Sequence, residues 1–106
     1  MIQRRIRMSE AVHRAIDVLH PDVKRKVRAA LDEIRKDPAA GLPLQGELTG
    51  FRKVVLGTWR IVYRVERRAA GIYAVGRRST VYTEAIDRAQ RRIEEARRGR
   101  RRASRS

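Results

Sequence analysis

Lys53, Arg60 and Arg64 are spaced so that a hairpin would bring them to one surface, and the chemistry such a surface offers is the handling of phosphate. They belong to LTGFRKVVLGTWRIVYRVERRAAGIYAVGRRSTVY, residues 48–82, where Gly57-Thr58 separates two apolar-rich runs, FRKVVL and WRIVYRV. Glycine at the first central position favours a two-residue type II′ turn. That turn pairs Leu56 with Trp59, Val55 with Arg60, Val54 with Ile61, Lys53 with Val62, Arg52 with Tyr63 and Phe51 with Arg64. Because side chains alternate between faces, Val54, Leu56, Trp59, Ile61 and Tyr63 share a core face with Arg52 at its margin. Lys53, Arg60 and Arg64 fall on the other face among Phe51, Val55 and Val62.

The elements that position this hairpin follow from local signals. Ile2 to Met8 reads as an edge strand. Ser9 is a helix N-cap, Glu10 suits the first turn, and Val12, Ala15, Ile16 and Leu19 recur at helical spacing. His20-Pro21 ends that helix and Pro21 opens the next, whose apolar stripe is Val23, Val27, Ala30, Leu31 and Ile34. Asp37-Pro38 stops the helical hairpin, and residues 39–50, rich in Gly and Pro, read as a connecting loop. Beyond Glu66 the run Arg67-Arg68-Ala69-Ala70-Gly71 reads as a turn, and Ile72 to Gly76 as a further strand of open register. Ser79 or Thr80 can cap a last helix carrying Tyr82, Ala85, Ile86, Ala89 and Ile93, ending near Arg98. The expected architecture is a small α+β domain over residues 1–98. An N-terminal strand and helical hairpin pack on one face of a small twisted antiparallel sheet, a C-terminal helix follows, and the other sheet face stays open. Residues 99–106 are expected to form a basic disordered tail.

Composition narrows the partners. The 106 residues fit one domain, and 27 Lys and Arg against 12 acids give a net charge of +15. The last ten residues hold six Arg and no acid, so without them the body still carries +9. Such a field implies an anionic partner, with nucleic acid or ribosome first, an acidic protein second and a membrane surface a poorer third. The absence of cysteine excludes disulfides, thiolate nucleophiles and Cys-based metal sites. No run has signal-peptide or membrane-spanning character, so a cytoplasmic protein is expected.

The segments LHPDVKRKVRAALDEIRKDP, LQGELTG, FRKVVLGTWRIVYRV and AVGRRSTVY, in that order, resemble the RelE/ParE family of toxins from bacterial type II toxin–antitoxin modules. The resemblance runs to about Arg92, and its sharpest part is G-x-x-R-I-V-Y followed by G-R-R-x-x-V-Y. It implies a RelE-like fold and a toxin held inactive by a cognate antitoxin. RelE-type members cut messenger RNA in the ribosomal decoding site without metal or cofactor, so ribosome and mRNA are the implied partners. ParE-type members instead inhibit DNA gyrase. By this resemblance Lys53, Arg60, Arg78 and Tyr82 fall on the RelE catalytic positions, with Arg52, Arg64 and Arg77 as substrate-binding companions. Cleavage by the neighbouring 2′-hydroxyl needs a base, charge stabilisation at the phosphoryl oxygens and help for the leaving oxygen. Arg60 suits the second task with its planar fork. Lys53, crowded by Arg52, Arg60 and Arg64, is a better base than an arginine. Arg78 would assist the leaving oxygen, and Tyr82 would stack on a base. Val55 stands where the RelE pattern has its second lysine. A carboxylate-and-histidine variant of the site is set aside, because Leu42 occupies the carboxylate position and no histidine follows His20.

Plainer readings stand beside these. An arginine on a strand solubilises, an exposed-face lysine discourages strand aggregation, and Tyr82 can simply pack at a helix start. Either Arg77 or Arg78 could face the site. Trp59 reads as structural, His13 and His20 as bystanders, and Glu47 as a loop anchor against the basic sheet. The tail could also grip RNA. Three functions therefore remain: a ribosome-dependent endoribonuclease, a ParE-like gyrase inhibitor, and a non-catalytic basic RNA- or ribosome-binding module.

Overall fold

Ser9 begins the first helix as its chemistry dictates: its hydroxyl accepts from the backbone N–H of Val12 at 3.3 Å, and α1 spans Glu10–Asp17. The next helix, α2, spans Pro21–Lys36, with Pro21 in its first turn and His20 Nδ1 accepting from the N–H of Asp22 at 3.2 Å. His20 is thus a helix cap. The computed structural model describes the backbone of residues 4–104 and the side chains of residues 4–100.

Five strands form one sheet: β1 (Arg5–Met8), β2 (Leu42–Pro43), β3 (Phe51–Leu56), β4 (Trp59–Val65) and β5 (Ala69–Arg77), in the spatial order β1-β5-β4-β3-β2. Every β3–β4 pair has the partner expected from the Gly57-Thr58 turn, from Leu56 with Trp59 to Phe51 with Arg64. Gly57 takes φ 65° while no described non-glycine residue has positive φ, the combination a type II′ turn requires. The edge strand β1 joins β5 in parallel, so the sheet is antiparallel from β5 to β2 and mixed at that margin. Ile2 and Gln3, expected in this strand, lie outside the described residues.

Three local expectations change. Part of the connector forms β2, where Leu42 pairs with Lys53 and Pro43 with Arg52, followed by a 3₁₀ turn at Gly46–Leu48. Strand β5 starts at Ala69 rather than Ile72, because residues 69–72 pair with β1 on one side and most of them with β4 on the other. Sheet neighbours there override the weak strand preference of Ala-Ala-Gly. The last helix, α3, spans Val81–Ser104, continuing past Arg98.

The largest correction concerns the sheet face expected to be open. One core lies under α1 and α2, with Val12, Ile16, Val27 and Ile34 against Ile61, Tyr63, Ile72 and Val75. A second lies on the opposite face, where Val81 and Ala85 of α3 close over Leu48, Phe51, Val62, Tyr73 and Ala74. The β4–β5 register shifts so that Val62 faces Ala74 while Tyr63 faces Ile72, leaving Tyr73 as the extra residue of a bulge. Tyr73 and Ala74 consequently both pack in the second core. Of the apolar residues interleaved with the cations, Phe51 and Val62 thus belong to a helix-covered core, while Val55 stays exposed at the hairpin end.

Candidate functional site

At the hairpin end of the α3-side face, the register places Lys53 opposite Leu42 on one side and Val62 on the other. One row further, Val55 faces Arg60, and Arg60 faces Gly76. Lys53 and Arg60 therefore share a face as diagonal neighbours, about 7–8 Å apart by sheet geometry. Tyr82, in the first turn of α3, brings its ring centroid to 6.0 Å from Lys53 Nζ. Around these polar groups Leu42 is 57% and Val55 45% exposed, forming an apolar rim.

Arg60 is held by the turn that precedes it: its Nη1 donates to Gly57 O at 2.6 Å and to Trp59 O at 2.9 Å. Its Nε is the one buried side-chain nitrogen or oxygen without a hydrogen-bond partner among the described residues. That nitrogen is buried, so an anionic oxygen would have to meet the rest of the guanidinium, which the two carbonyl bonds orient. A Cβ on Gly76, opposite Arg60, would be in ordinary contact with Val81 and Glu84 Oε2, each 3.9 Å away. Arg78 sits exposed after β5, and its backbone N–H donates to Thr58 O at 3.0 Å, tying its turn to the one that carries Arg60.

Lys53, Arg60, Tyr82 and the Arg78 turn thus gather at one end of the face, while the three companion arginines do not join them. Arg52 lies on the α1–α2 face, where Nη1 donates to Gly41 O at 2.7 Å and Ala39 O at 3.2 Å. Arg77 lies on that face as well, its guanidinium 4.7 Å from the Trp59 ring centroid. Arg64 shares the face of Lys53 but stands four residues further along β4 from Arg60, about 13 Å away. There Nη2 donates to Tyr73 Oη at 2.7 Å and Glu66 Oε2 at 3.2 Å, with the guanidinium over the Phe51 ring. Arg52 is therefore turned to the other face from Lys53, while Arg64, a diagonal neighbour of Lys53 just as Arg60 is, commits its guanidinium to Glu66 and Tyr73. Glu47 is exposed and makes no ion pair among those of the described residues.

Glu66 is the residue that pattern-reading passed over. Its carboxylate accepts from Arg7 Nε at 2.7 Å, Arg7 Nη2 at 3.0 Å, Arg64 Nη2 and the Tyr73 hydroxyl at 2.8 Å, with Arg92 Nε 3.7 Å away. Burial, the largest single influence, would raise this carboxyl, but hydrogen bonds from Arg7, Tyr73 and Arg64 with the Arg7 charge outweigh it and hold it at about 2. The same bond raises Arg7. Glu66 is the only acid in residues 48–83, which contain eight basic residues, and that isolation was the available signal.

A family model described as the ParE toxin of type II toxin–antitoxin systems, parDE, matches residues 6–82. No curated protein gives a match. Among solved structures, the chain is similar to one in the RelBE2 toxin–antitoxin complex of Mycobacterium tuberculosis, with 26% identity and TM-score 0.63 over 73% of this chain and 100% of that one. It is similar to isolated E. coli RelE at 26% identity and TM-score 0.62, covering 81% and 98% of the two chains. A doubly substituted E. coli RelE bound to a peptide of its antitoxin gives 25% identity and TM-score 0.62 over 80% and 95%. No described helix is long and apolar enough to cross a membrane.

Proposed function

Because this chain belongs to the ParE toxin family of type II toxin–antitoxin systems, we propose that it is a cytoplasmic toxin that cleaves messenger RNA on the ribosome without a metal, held inactive by a cognate antitoxin. The observation that carries this reading is Arg60, anchored by its own hairpin turn on the same face as Lys53, whose ammonium lies 6.0 Å from the Tyr82 ring centroid. In the proposed reaction Lys53 removes the proton of the 2′-hydroxyl, whose oxygen attacks the adjacent phosphorus. Arg60 stabilises the negative charge that builds on the phosphoryl oxygens. The bond to the 5′-oxygen then breaks, and that oxygen, its charge stabilised by Arg78, takes a proton from water, leaving a 2′,3′-cyclic phosphate and a 5′-hydroxyl. Tyr82 stacks on a base beside Lys53.

The test adds the purified chain to translating ribosomes and maps the 5′ ends of the message. Codon-phased cuts are expected, and Arg60→Ala should reduce them about 10²–10³-fold, as loss of a transition-state charge contact does. Intact message alongside gyrase trapped on DNA would establish the second reading, an inhibitor of DNA gyrase. Val55 favours that alternative, since an exposed valine stands where the RelE pattern has a lysine. Binding to RNA or ribosomes with neither outcome would leave a non-catalytic module.

A further inference from the structure

A second basic surface lies away from the Lys53–Arg60 end, across the sheet beside β1. A cleft of about 230 Å³ opens between the start of α1, β5 and α3, and its lining includes Arg7, Arg88, Arg91 and Arg92. The fold holds these arginines in place. Arg88 Nη1 donates to Tyr73 O at 2.8 Å, Arg91 Nη2 pairs with Asp87 at 3.0 Å, and Arg7 and Arg92 lean on Glu66. Each guanidinium carries five N–H donors, so these bonds orient the side chains without exhausting them. Glu95 is the acid on the rim.

The cleft continues into the outer half of α3. From Gln90 to Arg100 every residue of the helix is exposed. Residues 90–104 extend about 22 Å at the rise of an α-helix. Arg98 follows Arg91 by seven residues and so returns to the same side of the helix. In 90–104 the side chains that could form an apolar seam are Ile93 and the small Ala96 and Ala103. A partner helix needs such a seam, whereas a phosphate backbone needs only charge and donors.

We propose that the Arg7–Arg88–Arg91–Arg92 cleft and the exposed outer half of α3 with Arg98 form a second binding surface for the phosphate backbone of single-stranded RNA, supplying affinity while the Lys53–Arg60 end supplies chemistry. The choice of RNA over DNA rests on the function proposed above; the phosphate surface itself does not. Such a surface acts through counterion release, about 0.7 in the slope of log affinity against log salt for each phosphate neutralised on a single strand.

The experiment measures anisotropy of a 5′-labelled 20-residue oligouridylate with the full chain across salt concentrations. A variant carrying Arg91→Gln, Arg92→Gln and Arg98→Gln should lose about 2 from the slope, or about a hundredfold in affinity at 0.1 M salt relative to wild type. Arg92 leans on Glu66, so the triple variant could disturb packing; Arg98→Gln alone, an exposed change, should lose about 0.7. Glu95→Gln should tighten binding. Unchanged slopes in both arginine variants would overturn the proposal, as would oligothymidylate binding tenfold tighter than oligouridylate. Loss of polyglutamate binding by the variants with RNA affinity intact would assign the surface to an acidic protein and also overturn it. Cuts on ribosomes by wild type with unchanged slopes would sink this surface alone. Altered slopes with intact message would sink the nuclease reading alone.

Discussion

Replacing Glu66 by Gln removes the one negative charge that Arg7, Arg64 and Arg92 approach together. A carboxyl held at about 2 against an ordinary 4.5 corresponds to roughly 3 kcal/mol of preference for the charged form in the fold. The side chain keeps 16% of its surface in water, and screening brings the expected loss to roughly 2 kcal/mol at neutral pH. The sign follows from the lowered folded value. Glu66 stabilises fully above its unfolded value near 4.5, and that stabilisation drains away as pH falls towards 2. Urea unfolding followed by Trp59 fluorescence at pH 7, 4.5, 3 and 2.5 would therefore show Glu66→Gln well below wild type at pH 7, with the two curves converging at the acid end. A gap of the same size at every pH would refute the electrostatic account and leave only packing. No gap at pH 7 would refute the importance of the cluster itself.

Two further outcomes follow from particular atoms. Val55→Lys, at an exposed position on the Lys53–Arg60 face, should raise message cleavage at least tenfold in the ribosome assay by adding a second proton-transfer group; unchanged cutting would mean that one lysine suffices or that the site is not a nuclease. The buried Tyr63 hydroxyl donates to Pro38 O at 2.7 Å and accepts from Gly41 N at 2.9 Å, so Tyr63→Phe should cost about 1–3 kcal/mol in urea unfolding. A Cβ on Gly41 would meet that same hydroxyl at 2.5 Å, the ring Cε1 at 2.7 Å and Lys53 O at 3.0 Å; Gly41→Ala should be destabilising in wild type and only partly relieved in the Tyr63→Phe background, which keeps the ring, and a loss below about 0.5 kcal/mol in wild type would argue against the clash.

The hairpin was legible because its register hangs on one turn: a slip of one residue would carry Ile61 and Tyr63 from core to surface, and the two-residue Gly57-Thr58 turn selects the observed pairing among those that keep them inside. The α1–α2 hairpin was legible for a similar reason, with Ser9 and Pro21 each marking a start. What α3 does was not, although the hint was present. Phe51 and Val62 share the face of Lys53 and Arg60, and two large apolar residues on a sheet face require a cover. Helical spacing showed that Tyr82, Ala85, Ile86, Ala89 and Ile93 form a stripe, but periodicity does not say which sheet face receives it, and Val81, which seals the second core, lay outside the stripe. The bulge at Tyr73 and the start of β5 at Ala69 depend on partners far away in sequence, so local preference could not supply them. The candidate site was read in outline only, since alternation assigns a side chain to a face and not to a position along it, and Arg77 was resolved only once Trp59 was seen to be its partner.

In a chain of net charge +15, the number of arginines near a surface says little about which of them meet a reacting phosphate. The second core makes the distinction. By crossing Phe51, Val62, Tyr73 and Ala74, α3 separates the cations of one sheet face into two groups with different constraints. On the Glu66 side, Arg7 and Arg64 are compensated by a carboxylate that also approaches Arg92, midway along α3. On the hairpin side, Arg60 is held by backbone carbonyls alone, with Nε unpaired. Carbonyl anchoring orients a guanidinium without neutralising it, which is what the role proposed for Arg60 requires. The separation also predicts that damage to the two groups is independent. Combining Arg98→Gln with Arg60→Ala should multiply their effects on substrate affinity and on the cleavage step, and a combined loss far from the product would mean that a single surface serves both.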